Sequence, residues 1–275
     1  MSFSVVTNLS SLNAQSQLDK TSLSLQQTLT RLSSGLRINS AGDDAAGLAV
    51  ANRFRMDNAG LQVGIRNAND AISRLQIEDG TANNISSLLD RALTLASQAA
   101  STTFLGSRTT LDTEFQSVLS EITREATSAG LETSNTNLNS RSVFVGNTSI
   151  QTSNAVTYVS FALSNAIDSQ GLGISTQNIT SQANAVAAVA ALQTAVGTLG
   201  TVQGKIGSAM NRLQRAISQA QSMSVAVAAS ESRIRDANIA EEAANLTKFN
   251  ILNQSGLAAL AQANQSSPSV LSLLR

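Results

Sequence analysis

The sequence predicts a mainly α fold: a long antiparallel helical, coiled-coil rod with paired N- and C-terminal helices and a small β-hairpin region. Three observations carry this. From Leu192 to Ile234, alternate steps of four and three residues fall on Leu192, Val196, Leu199, Gln203, Ile206, Met210, Leu213, Ile217, Ala220, Ser224, Val227, Glu231 and Ile234, apolar at all but Gln203, Ser224 and Glu231. Such a repeat draws one narrow apolar seam along a helix, which only another helix with a matching seam can bury; the helix would be about 65 Å long. Second, aromatics are 3% of the 275 residues, tryptophan is absent, and the 42% hydrophobic share is carried largely by alanine and leucine. Apolar surface is then buried in thin seams rather than a wide aromatic core. Third, the stepping pattern recurs in the first third of the chain, while two-residue alternation is confined to one short region.

Composition excludes several functions. Charged residues are 13% and the net charge is zero, which denies the chain the positive field that nucleic-acid binding needs. With no histidine and no cysteine, imidazole or thiolate metal sites, cysteine nucleophiles, disulfides and Ser-His-Asp machinery are ruled out. No residue stands out as catalytic, cofactor-binding or metal-ligating. Residues Met1 to Asn8 lack the basic and apolar regions of a Sec signal peptide, and no apolar run approaches a membrane span. The expectation is a chain that stays inside the cell or leaves by a route without a cleaved peptide.

The elements follow in order. Residues 5–36 carry Val5, Leu9, Leu12, Leu18, Leu25, Leu29, Leu32 and Leu36 against a face of Ser, Thr, Gln and Asn. A helix so poor in charge cannot hold itself by ion pairs and must dock on a partner, within the subunit or outside it. Gly35 and Gly42, with Asn39-Ser40 before Asp43-Asp44, read as a helix stop, a turn and a new N-cap. The adjacent acids suit capping and the helix dipole rather than catalysis. The seam returns as Leu61, Ile65, Ala68, Ile72, Leu75, Asp79 and Ala82, slips by one residue near Gly80, and resumes as Ile85, Leu89, Ala92, Ala96 and Ala99. After a loop at 101–107 a third seam runs Leu111, Phe115, Val118, Ile122, Glu125 and Ala129, capped by Gly130.

Residues 131–180 change character. Ser142-Val143-Phe144-Val145 and Ala155 to Phe161 alternate with period two around Gly146-Asn147, which reads as two strands joined by a turn. Gly171-Leu172-Gly173 is a further turn, without the third glycine and preceding strand of a nucleotide loop. The C-terminal segment is a second amphipathic helix in which Glu241-Glu242 reads as surface and Pro268 as a break or bend. Two terminal-helix segments, 1–42 and 236–275, thus flank a helical region at 43–235 that includes the β region at about 131–180. Pairing the two ends covers part of their apolar stripes, and the remainder must meet other subunits in an open, non-closing assembly. Candidate inter-subunit residues are Leu9, Leu25, Leu29 and Leu32 at one end and Ile251, Leu257, Leu260 and Leu271 at the other.

Two blocks carry a family resemblance. Arg31-Leu32-Ser33-Ser34-Gly35-Leu36-Arg37-Ile38-Asn39, followed by Asp43-Asp44-Ala45-Ala46-Gly47-Leu48-Ala49, closely resembles the N-terminal block of bacterial flagellins. Ser232-Arg233-Ile234-Arg235-Asp236-Ala237-Asn238-Ile239-Ala240-Glu241-Glu242, with Ile251-Leu252-Asn253-Gln254 and the ending Val270-Leu271-Ser272-Leu273-Leu274-Arg275, is similar to their C-terminal block, departing at Arg235, Asn238 and Phe249. The middle is looser: Ser140 replaces the glycine usual after Thr136-Asn137-Leu138-Asn139. The short interval between the flanking helices implies a form lacking large outer domains. The resemblance implies a structural subunit, not an enzyme and without cofactor, that polymerises into the extracellular flagellar filament for swimming. It implies unfolded type III export and assembly at the tip through the terminal helices. The implied partners are the chain itself, alone or mixed with other flagellins, the flagellar cap and hook-junction proteins, an export chaperone and a host Toll-like receptor, with no nucleic acid and no membrane. Arg91, Leu95 and Glu121 match the family's receptor-contact positions, whereas Asp90, Leu93 and Thr94 depart from them. The alternatives are a hook–filament junction protein, which shares the N-terminal pattern, and a soluble secreted coiled-coil adhesin or receptor ligand.

Overall fold

A computed structural model describes residues 8–135, 138, 140–147, 156–163 and 165–273, and the side chains of all these except 147, 156, 157 and 266–273. The elements are α1 (Leu9–Ser34), α2 (Ala45–Ala100), α3 (Arg108–Ala129), β1 (Arg141–Asn147), β2 (Val156–Phe161), α4 (Gln182–Arg235) and α5 (Ile239–Leu273). They cluster into two compact units, residues 1–56 with 226–275, and residues 57–225. The breaks near 42/43 and 235/236 are helix breaks inside the first unit, and the unit boundary falls within α2 and α4.

In the first unit, Asn8 caps α1 by accepting from Ser11 N at 3.2 Å, and Gly35 ends it with a left-handed φ of 71°. The two acids cap as expected. Asp44 Oδ1 accepts from Gly47 N at 2.8 Å, and Asp43 Oδ2 accepts from the backbone of Asn39 and Ser40 and from the Ser40 hydroxyl. Of the break or bend expected at Pro268, the break is absent: α5 runs through it to Leu273. A proline forgoes its own helical hydrogen bond, but the neighbouring turns can carry the helix past it.

In the second unit α2 and α4 run antiparallel. Gln203 Nε2 donates to Asn83 Oδ1 at 2.9 Å and Ser224 Oγ to Asn58 Oδ1 at 2.5 Å. The α4 seam begins earlier than expected and runs Ala185, Ala188, Leu192, Ala195, Leu199, Val202, Ile206, Ala209, Leu213, Ile217 and Ala220, all buried. Every seventh residue stands where the sequence puts it. Between them, however, Ala195, Val202 and Ala209 replace the expected Val196, Gln203 and Met210, and Val196 is 40% exposed. Alternating large and small side chains interdigitate better than uniformly large ones, so the smaller residue takes the inward position. Two successive four-residue steps, Ala209 to Leu213 to Ile217, then restore the expected phase, which is a coiled-coil stutter.

α2 is corrected in the same way. Its buried line is Leu61, Gly64, Ala68, Leu75, Glu78, Ala82, Ile85, Leu89, Ala92, Ala96 and Ala99, with Ile65, Ile72 and Asp79 only half-buried. The slip expected after Ala82 does not exist; it arose from choosing Asp79 over Glu78. Gly80 does not interrupt the helix. In α3 the buried residues are Phe115, Leu119, Ile122 and Ala126, in place of the expected Val118 and Glu125. Gly130 caps the helix at φ 69°, as expected.

β1 and β2 pair antiparallel, with Val143 opposite Val159, Phe144 opposite Tyr158 and an irregularity between Phe144 and Gly146. Gly146 and Asn147 belong to β1 rather than to the turn expected there; the bulge absorbs the extra residue that the period-two reading assigned to a turn. The connection at 148–155 lies outside the described residues, as do Thr136, Asn137 and Asn139. The strand sits hard against α2. A Cβ at Gly64 would stand 1.9 Å from Val145 O, and one at Gly146 would stand 2.8 Å from Leu61 Cδ2. Glu78 fastens the same junction, accepting from Arg74 Nε at 3.3 Å and from Arg141 Nη1. Farther along, buried Asp168 accepts from Thr133 N at 3.1 Å, Thr133 Oγ1 at 2.7 Å and Gly171 N at 2.8 Å. That bond opens the turn expected at Gly171-Leu172-Gly173, where Gly173 has φ 73°.

One segment of α4 departs from the composition reading. An 18-residue window of this helix is long and apolar enough to cross a membrane by length and composition, with 33% of it buried within the protein. On the outer side of α4, Gly197, Gly200, Gly204 and Gly207 follow one another in three- and four-residue steps, and a Cβ at each would meet open space.

Candidate assembly surface

The helices closest to the two ends of the chain, α1 and α5, pair antiparallel. Asn8 Nδ2 donates to Ala263 O at 2.8 Å, Ser11 Oγ to Asn264 Oδ1 at 2.9 Å, and Arg31 Nη1 lies 3.5 Å from Glu242 Oε1. The inward line of α1 is Ser11, Ala14, Leu18, Thr21, Leu25, Thr28 and Leu32, and only Thr21 and Thr28 are fully buried. Their hydroxyls are satisfied by donating to Gln17 O and Ser24 O, so these polar residues can sit inside without loss. Facing them, α5 turns Glu242, Leu246, Phe249, Asn253, Gly256, Leu260 and Ala263 inward. Gly256 is the close approach: a Cβ there would stand 2.9 Å from Leu18 Cδ1.

This thin seam leaves an outer face that is unusually apolar. Leu9, Leu12, Leu23 and Leu29 on α1 are exposed, and Ile239, Ile251, Leu252 and Leu257 on α5 are exposed as well. Of the residues expected to make inter-subunit contacts, Leu9, Leu29, Ile251 and Leu257 thus stand outside, Leu25, Leu32 and Leu260 are half-buried in the α1–α5 seam, and the Leu271 side chain lies outside the described set. Leu12, Leu23, Ile239 and Leu252 are exposed as well and were not among the expected contacts; apolar residues on both faces of one helix were the available signal. Large apolar side chains exposed in such number on one helix pair point to an interaction face.

A backbone clasp stands at the base of the pair. Arg37 N donates to Arg235 O at 2.6 Å, Ala237 N to Gly35 O at 2.9 Å, and Arg37 Nη2 to Ile234 O at 2.8 Å. Beside it Arg31 lies 3.9 Å from Asp43 Oδ1. The Asp43 carboxyl is held below its ordinary range, first by the N–H groups of Ser40 and Asn39, then by the Ser40 hydroxyl and the Arg31 charge. Glu242 corrects the surface reading: it is 8% exposed and serves as the buried partner of Arg31. Among the described residues no group of acidic side chains is placed to hold a metal ion.

Two of the three receptor positions are exposed and one is buried. Arg91 is exposed but ion-paired to Glu114, and Leu95 is 3% exposed. Glu121 is held by Arg124, whose hydrogen bonds lower the Glu121 pKa, while the arginine's own rises in return.

Comparison with known proteins agrees with this architecture. The family model described as the bacterial flagellin N-terminal helical region matches residues 5–144, and the C-terminal helical region model matches residues 189–274. A flagellin of Halalkalibacterium halodurans is 33% identical over 98% of both chains. The flagellar filament 33 kDa core protein of Treponema phagedenis is 34% identical, again over 98% of both. A crystal structure of Bacillus cereus flagellin aligns with a TM-score of 0.47 at 25% identity, over 56% of this chain and 88% of that one. Two family models spanning both helical regions, together with relatives matched from end to end, place the chain in the bacterial flagellin family.

Proposed function

We propose that the outward apolar faces of α1 and α5 are the contacts through which this chain polymerises. The chain is a structural subunit of the extracellular flagellar filament, which serves motility, and is not an enzyme. The junction and adhesin alternatives find no support in these matches. The observation that carries the assembly reading is the surplus of exposed leucine and isoleucine on a helix pair whose inner seam is already occupied. Because the surplus belongs to both terminal helices, the pair gains most of its order only when neighbouring subunits cover it. The same face serves as the landing surface for the cap and hook-junction proteins at the polymer's two ends. Before assembly, an export chaperone shields α5. Toll-like receptor binding is left with Arg91 and Glu121, each already in an ion pair, and forms no part of the proposal.

Electron microscopy in concentrated ammonium sulfate, which strengthens apolar burial, tests the reading. The full chain is expected to form filaments. A chain lacking 236–275, and a double variant Ile251→Asp with Leu257→Asp, are expected to form none while the second unit keeps its helical circular dichroism. Filaments from the double variant would move the contacts off α5.

A further inference from the structure

The loop between α2 and α3 holds a leucine in open solvent. Leu105 is 101% exposed, yet the loop that carries it is braced. Arg108 donates from Nε to Ala99 O and from Nη2 to Ser101 O, both at 2.9 Å, and its guanidinium lies 5.6 Å from the centre of the Phe104 ring. Gly106 leaves space for that ring, because a Cβ there would stand 2.5 Å from Phe104 Cζ. An apolar tip held in one shape gives up little conformational freedom when it docks.

The same unit contains a cavity that matches it. Leu61, Val145, Gly146, Ala216, Ala220 and Met223, with Gln219, line a half-open pocket of about 170 Å³ whose accessible wall is apolar. A dry apolar cavity of about 150 Å³ is enough for benzene, so this one accommodates the isobutyl group of a leucine. Knob and cavity cannot meet within one chain. Leu61 and Ala100 are separated along α2 by 39 residues (100 − 61), which is about 58 Å of helix.

We infer that Leu105 of one subunit seats in this cavity of the next. The inference rests on the reading of the chain as a self-polymer and adds a second contact, made by residues of the second unit alone. Because the two halves of the contact are different places on one surface, the contact is head-to-tail and does not close on itself, which builds an open filament. It spaces successive subunits by about 58 Å along the direction of α2.

The chain has no cysteine, so thiols can be placed at will. A variant carrying both Leu105→Cys and Met223→Cys is polymerised and treated with a short bismaleimide. The expected result is a ladder of covalent dimers, trimers and higher multimers. A mixture of the two single-cysteine variants is expected to stop at dimers, because each subunit then carries one thiol. Leu105→Asp is expected to raise the concentration needed for polymerisation at least tenfold and Leu105→Met to leave it unchanged; neither change touches a packed residue. Filaments that form normally from the double-cysteine chain but stay uncrosslinked overturn the inference and leave polymerisation standing. Filaments from Leu105→Asp at the unaltered concentration overturn it as well. If the unmodified chain forms no filaments, the assembly reading fails and the inference fails with it.

Discussion

Glu78→Ala is expected to lower the stability of the second unit by about 3–5 kcal/mol, the cost of removing one partner from a buried ion pair. Glu78 is 1% exposed as a side chain and Arg141 12%, so the guanidinium left behind would be a charge with little water and no carboxylate. The pair is also imperfect, because Glu78 Oε2 and Arg141 Nη2 find no hydrogen-bond partner among the described residues. Removing both charges should therefore hurt far less than removing one: Glu78→Leu with Arg141→Met is expected to recover most of the loss. Urea denaturation followed through Tyr158 measures this directly. It is the single tyrosine of a chain without tryptophan, and it packs edge-on against Phe144 with ring centres 5.9 Å apart. A loss below about 1 kcal/mol for Glu78→Ala would mean that the junction is solvated and the pair carries little.

Gly64→Ala is expected to detach the hairpin. The added methyl carbon would stand 1.9 Å from the Val145 carbonyl oxygen, and the obstacle is backbone, which cannot rotate away as a side chain can. Overpacking of this kind costs about 1–3 kcal/mol or more, and it should appear as loss of the Tyr158 signal with the helical signal intact. Gly80→Ala supplies the opposite sign from the same helix. Among the described residues nothing beyond its own helix turn lies within 4 Å of its Cβ position, so alanine should stabilise by about 1 kcal/mol. Equal behaviour of the two variants would show that β1 is not seated on α2.

The contrast between Gly64 and Gly80 shows where the sequence was legible. Heptad spacing identified α2, α3 and α4 and every seventh buried residue, because a repeat that long has no other physical reading. The flanking seam positions were misplaced where a larger apolar neighbour outweighed a small inward residue, as at Val196 against Ala195, and where the four-three stepping took Asp79 instead of Glu78, which is buried through its pairing with Arg141. Hydropathy rewards size, whereas two helices in contact reward fit. The acid caps Asp43 and Asp44 and the left-handed glycines Gly35 and Gly130 were readable because their chemistry is local. Glu78–Arg141 was not: its partners lie 63 residues apart, and no local pattern announces such a distant pairing. The outer leucines of α1 and α5 were partly legible, since a helix with more apolar residues than one seam can use must find another neighbour.

The four open glycines of α4 carry a consequence for how this helix behaves over time. Each forgoes about 1 kcal/mol of helix propensity relative to alanine, so the stretch from Gly197 to Gly207 is about 4 kcal/mol weaker than an alanine helix would be. Nothing among the described residues would obstruct the alanines. The middle of α4 is therefore its most readily opened length, where backbone amides should exchange with solvent sooner than those at Leu192 or Leu213. A helix with a yielding centre takes up load by local fraying and recovers once its partner closes over it again.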